Sequence, residues 1–168
     1  MSKKNPNKLW QKEYELDARI EAFTVGQDRE LDLLLAPYDI AGSLAHGKML
    51  SEVGLLPPDE YEQMAAVLRE LYVQAEAGEF RIEAGVEDVH SQVELLLTSA
   101  LGDIGKKIHS GRSRNDQVLV DLRLYFRAEL ADLVRRIEEL VQLLLQRSEQ
   151  HQEDLLPGYT HLQVAMVS

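Results

Sequence analysis

Gly111-Arg112-Ser113-Arg114-Asn115-Asp116-Gln117-Val118-Leu119-Val120-Asp121-Leu122-Arg123-Leu124-Tyr125-Phe126 opens the stretch that decides the fold. From Arg112 to Leu156 there is no glycine and no proline, and Leu119, Leu122, Phe126, Leu130, Leu133, Ile137, Leu140 and Leu144 recur at steps of three and four. That period lines up one face of a helix. A helix from Ser113 to Gln150 would run roughly 57 Å at about 1.5 Å per residue, longer than a small domain is wide. Val118, Tyr125, Val134, Val141 and Leu145 widen the apolar stripe beyond a two-stranded seam, so the helix is expected to belong to a bundle. No other segment of the chain is long enough to cover it, and a homo-oligomer is expected to supply the missing neighbours.

Upstream, proline and glycine divide the chain into helix-length pieces with little alternating pattern for strands, which predicts an all-α fold. Gln27 to Val53 is apolar-rich and closed by Gly54, with Pro37 bending or interrupting it. Pro57-Pro58-Asp59-Glu60 opens a second helix reaching Gly78, and a third runs from about Val86 to Leu101. The expected organisation is an N-terminal helical domain over residues 1–111, then the start of a helical-bundle domain over 112–168. Pro157-Gly158-Tyr159-Thr160-His161-Leu162-Gln163 reads as a loop leading into a further helix.

The formal charge of −11 leaves no broad basic face for nucleic acid; Lys106, Lys107, Arg112 and Arg114 make a short patch that suits a small anion. With no cysteine, disulfides, thiol catalysis and thiolate-bound metals are excluded. No run of about 18 uncharged apolar residues occurs and no apolar core follows the N-terminal lysines, so a cytoplasmic protein without membrane contact is expected.

Three polar patches can carry chemistry: Glu87-Asp88-Val89-His90, the run from Ser110 to Gln117, and Tyr159-Thr160-His161-Leu162-Gln163. In the second, Gly111 ends one element and Ser113, Asn115 or Asp116 can cap the next, so helix N–H groups and two arginines converge. A plain cap with solvated arginines would look the same. His161 admits a core or capping role, and His90, beside two acids at a helix start, reads as a local ion-pair residue. His46, His109 and His151 suggest no function. Glu87 and Asp88 lack the spacing of a metal site, and no metal is expected.

Taken together these patches resemble the argininosuccinate lyases of the fumarase/aspartase superfamily. Gly105-Lys106-Lys107-Ile108-His109-Ser110-Gly111-Arg112-Ser113-Arg114-Asn115-Asp116-Gln117-Val118, followed by Asp121-Leu122-Arg123-Leu124, is similar to one family signature, and Pro157 to Gln163 to another. Lys8-Leu9-Trp10, Tyr38-Asp39 and Glu87-Asp88-Val89-His90 fit as well. The resemblance implies a carbon–nitrogen lyase of arginine biosynthesis that splits argininosuccinate reversibly into fumarate and arginine, without cofactor or metal. It implies that Ser113, Arg114, Asn115 and Thr160 hold the succinyl carboxylates, that His161 assists proton transfer, and that Asp39 pairs with the guanidinium or amino end of the substrate. It further implies a homotetramer built on packed long helices, with active sites shared among subunits. The chain matches about the first third of such an enzyme, without the later loop that carries a catalytic serine, so these residues alone are expected to be inactive.

Two alternatives are open on the sequence. One is another fumarate-releasing lyase of the superfamily, similar to adenylosuccinate lyase, which the Ser-Arg-Asn-Asp-Gln run disfavours. The other is a non-catalytic helical protein that only oligomerises.

Overall fold

Proline decides where the first helices begin. The computed structural model describes residues 20, 23 and 26–167, so Lys8-Leu9-Trp10 lies outside it. The apolar segment from Gln27 to Val53, expected to bend or break at Pro37, is divided into α1 (Asp28–Leu31), a 3₁₀ turn (Asp32–Leu34) and α2 (Ala36–Glu52). Pro37 has no N–H to give and would clash inside a helix, so it stands in the first turn of α2. α3 (Pro58–Glu76) likewise opens with proline in its first turn, and Asp59 and Glu60 there favour the positive end of the helix. α4 (Val89–Leu101) starts three residues later than expected, because Asp88 is extended and its side chain accepts the Ser91 N–H at 2.9 Å as the N-cap. A one-turn α5 (Asp103–Lys106) and a 3₁₀ turn (Lys107–His109) lead to α6 (Arg114–His151), which is 38 residues long.

The core is built from one face each of α2, α3 and α4. Ile40 and Leu50 meet Met64 and Leu68, and Val93 and Leu97 pack against them, with Leu56 and Ile108 closing the cluster. All eight are at most 2% exposed. α5 comes so close to α4 that a Cβ on Gly105 would lie 2.5 Å from the Leu97 carbonyl group, which explains glycine there.

The chain divides into two compact units, residues 1–126 and 127–168. The first contains α1 to α5 and the opening turns of α6, where Gln117 and Asp121 are buried. In the second, the remainder of α6 exposes its apolar stripe: Leu130 is 59% exposed, Ile137 51% and Leu144 59%. No helix among the described residues is long and apolar enough to cross a membrane.

The fold is mostly helical, as expected, but one predicted helix is replaced by strands. The helix predicted after Gln163 is instead a hairpin of β1 (Pro157–Thr160) and β2 (Gln163–Val167), paired antiparallel with a bulge at Gly158/Tyr159. His161 and Leu162 form its two-residue turn, both in the left-handed region at φ 49° and 63°. Two positive-φ residues between paired strands match the primed turns that follow the strand twist, and Tyr159, Thr160 and Val164 favour extended backbone.

Candidate functional site

α2 and α6 each present polar residues one turn apart. Asp39 and Ser43 share a face of α2, Gln117 and Asp121 share a face of α6, and all four are buried. From the start of α4 comes His90, 5% exposed, whose Nδ1–H donates to Asp39 Oδ1 at 2.8 Å and lies 3.6 Å from Asp121 Oδ2. The Gln117 amide also donates to Asp39 Oδ1. Arg112 reaches in from the turn at Gly111, its Nη2 donating to Ser43 Oγ at 3.3 Å. Gly111 adopts φ +67° at that turn, a conformation that costs a side chain energy and glycine almost none.

This network corrects the reading of His90 as a local ion pair: its partner is Asp39, 51 residues away and wholly buried. Burial alone would lower the imidazole, but the hydrogen bond and charge of Asp39, with Asp88 and Asp121 nearby, hold it above its ordinary value. Asp121 is pushed up to about 7, first by burial and then by the charge of Asp39, against the pull of His90 and Arg112. Asp39 Oδ2 and both Asp121 oxygens have no hydrogen-bond partner among the described residues. Among the described residues, Asp39, His90 and Asp121 are the three donors close enough to hold a metal ion, their ligand atoms within 4.8 Å of one another. Gln117 and His90 already occupy one Asp39 oxygen, and the neighbouring Arg112 guanidinium opposes a second cation.

The face toward solvent is made by the first turn of α6. Ser113 caps the helix: its N–H and Oγ–H both donate to Asp116 Oδ2 at 2.9 Å, and its Oγ accepts from the Asp116 N–H at 3.4 Å. Ser113, Arg114 and Asn115 stand side by side at the positive end of the helix, all three exposed. Arg114 is held from behind, Nη2 donating to Asp88 Oδ1 at 2.9 Å and to Ser91 Oγ at 2.7 Å. A pocket of about 260 Å³ opens between α2 and α6, lined by His46, Met49, Arg112, Gln117 and Asp121 among others. His46 Nε2 bonds the Ser110 carbonyl at 2.9 Å and His109 bonds Glu94 at 2.7 Å, both fixing the turns before the site.

The structure thus brings Asp39, Ser113, Arg114 and Asn115 into one unit, with Asp39 sealed at 0% exposure and the other three exposed. Thr160 and His161 belong to the second unit, at the exposed tip of its hairpin. Sequence reasoning did not single out Gln117, Asp121 or Ser43. Buried polar residues at helical spacing look like any solvated face until the partner helix is known.

Comparison with known proteins adds a family. A family profile described as "Lyase" matches residues 11–168. Curated relatives named argininosuccinate lyase are 56% identical over 96% of this chain in Bacteroides fragilis and in Phocaeicola vulgatus, and 41% identical over 95% in Trichlorobacter lovleyi. The chain spans 35–36% of the length of these relatives.

Proposed function

This chain belongs to the lyase family, and on that premise we propose that it serves an argininosuccinate lyase, splitting argininosuccinate into fumarate and arginine. The observation that carries the reading is the solvent face of α6, where a hydroxyl, a guanidinium and an amide stand together over a helix N-terminus. A β-elimination must remove a weakly acidic C–H proton beside a carboxylate, and the doubly charged aci-carboxylate that forms needs donors already aimed at it. Ser113, Arg114 and Asn115 are such donors, with Thr160 joining them from a neighbouring copy. His161 gives a proton to the departing nitrogen, the general-acid task most often given to an imidazole. The strained left-handed backbone of His161 supports a role at the site, since such strain collects where side-chain direction matters. Asp39 meets the basic end of the substrate through Oδ2, which requires the α2 face to open.

The same reading includes a domain boundary at Gly111, a cytoplasmic homotetramer that completes each site with residues from several copies, and a reaction that needs neither metal nor cofactor. The exposed stripe of α6 supports the assembly, because a leucine-rich face of this length is rarely left to water. The experiment is fumarate release from argininosuccinate by the protein as expressed from its own gene, with adenylosuccinate as the rival substrate. His161→Ala is expected to lower kcat by on the order of 10²–10⁴-fold. Unchanged turnover, or preference for adenylosuccinate, would sink the proposal.

A further inference from the structure

Arg114, the cation offered to the substrate, is itself held by an acid. Asp88 approaches its Nη2 with both oxygens, at 2.9 Å and 2.7 Å, and Ser91 Oγ adds a third contact at 2.7 Å. The Asp88 side chain is 14% exposed against 46% for Arg114, so the acid lies under the guanidinium. Asp88 does not move freely either: as the N-cap of α4 its Oδ1 takes the Ser91 N–H at 2.9 Å. One carboxylate therefore ties the first turn of α4 to the first turn of α6, leaving Arg114 Nε and Nη1 as the donors not committed among the described residues.

We infer that Asp88 is a positioning residue for Arg114, turning the guanidinium so that its remaining donors meet a substrate carboxylate. The inference rests on the reading of Arg114 as a carboxylate-binding group. A charge-assisted pair of this geometry fixes the plane of a guanidinium that would otherwise sample many rotamers in water. Asp88 has a second effect on Arg114, since its negative charge weakens the attraction for an anion. The two effects predict opposite kinetics. If orientation dominates, releasing Arg114 weakens the transition state; if charge quenching dominates, release tightens substrate binding.

Asp88→Asn keeps the cap and weakens the tether. Asparagine caps a helix as well as aspartate, and its Oδ1 can keep the Ser91 N–H and one Arg114 contact, while the charge is lost and an NH₂ group in place of Oδ2 points donors at the donors of Arg114. Cleavage of argininosuccinate by the protein as expressed from its own gene would be compared for wild type, Asp88→Asn, Arg114→Ala and the double variant. Asp88→Asn is expected to lower kcat/KM roughly tenfold, but less than about twofold when Arg114 is already alanine. Ser91→Ala removes the other anchor without touching the cap, and should lower kcat/KM about threefold with the same dependence on Arg114. Equal losses in both Arg114 backgrounds would overturn the inference, because Asp88 would then act on α4 alone. A lower KM at unchanged kcat would also overturn it, as the mark of a charge quencher. Activity lost with Arg114→Ala but kept with Asp88→Asn and Ser91→Ala would reject positioning while the carboxylate site stands. Full activity in Arg114→Ala would remove that site, and the inference with it.

Discussion

Asp121 and Asp39 face each other where two full negative charges cannot be accommodated cheaply. Asp121 titrates at about 7 in the folded chain, against about 3.9 when unfolded. Between those values the folded state keeps a proton that the unfolded state has released, so the stability this group contributes is whole at the acid end and is lost as pH rises through about 7. His90, raised as well, acts in the same direction. Arg112 and Gln117 complete the surroundings and do not titrate in this range. Thermal unfolding should therefore move to lower temperature from about pH 5.5 to about pH 8, by at most roughly 1.4 kcal/mol per pH unit for each group. Asp121→Asn, which stands in for the protonated acid at every pH, should flatten that decline; a slope equal to wild type would show that the proton resides elsewhere. None of this was legible in the sequence. Asp39 was given a role through family resemblance, while Gln117 and Asp121, though inside the quoted signature, were given none because their burial depends on a helix more than 70 residues upstream.

Gly105 shows how an element can be set by backbone contact instead of side-chain choice. Glycine inside a helix normally costs about 1 kcal/mol relative to alanine, so Gly105→Ala would stabilise α5 if space were available. There is none: the added Cβ would stand 2.5 Å from Leu97 C and O and 2.6 Å from Thr98 N, and peptide backbone cannot rotate away as a side chain would. The steric effect wins, and the substitution should destabilise the first unit by about 1–3 kcal/mol. Chemical denaturation would register this as a lower midpoint at an unchanged slope; a higher midpoint would mean that α5 can lift off α4. The helices themselves were readable because proline, glycine and acidic first turns mark their ends, and α3 and α6 begin and end within about two residues of expectation. The hairpin was not readable. Its turn uses His161 and Leu162 where asparagine and glycine would have announced it, and the short apolar run after Gln163 suits helix and strand alike.

For the whole molecule, the deciding quantity is the apolar face that α6 shows to water between Leu130 and Leu145. Substitutions there separate assembly from folding, since the first unit has its own core. Ile137→Glu with Leu144→Glu places charges in the middle of the stripe, and sedimentation should show the wild-type chain associating and the variant shifted to monomer. Circular dichroism of the first unit should be unchanged. A monomeric wild type at tens of micromolar would contradict the proposed assembly. The fold class and the exposed stripe were legible because a helical period is sustained over 38 residues. The stripe also has a consequence for biosynthesis. Synthesis runs from the N-terminus, so residues 1–126 can fold while the second unit is still emerging. In the proposed assembly the leucine face then waits for another chain, and its capture is a second-order event whose rate depends on how many copies are nearby. Sparse expression should leave more chains to chaperones and proteases, so the yield of assembled protein should rise more steeply than the rate of translation.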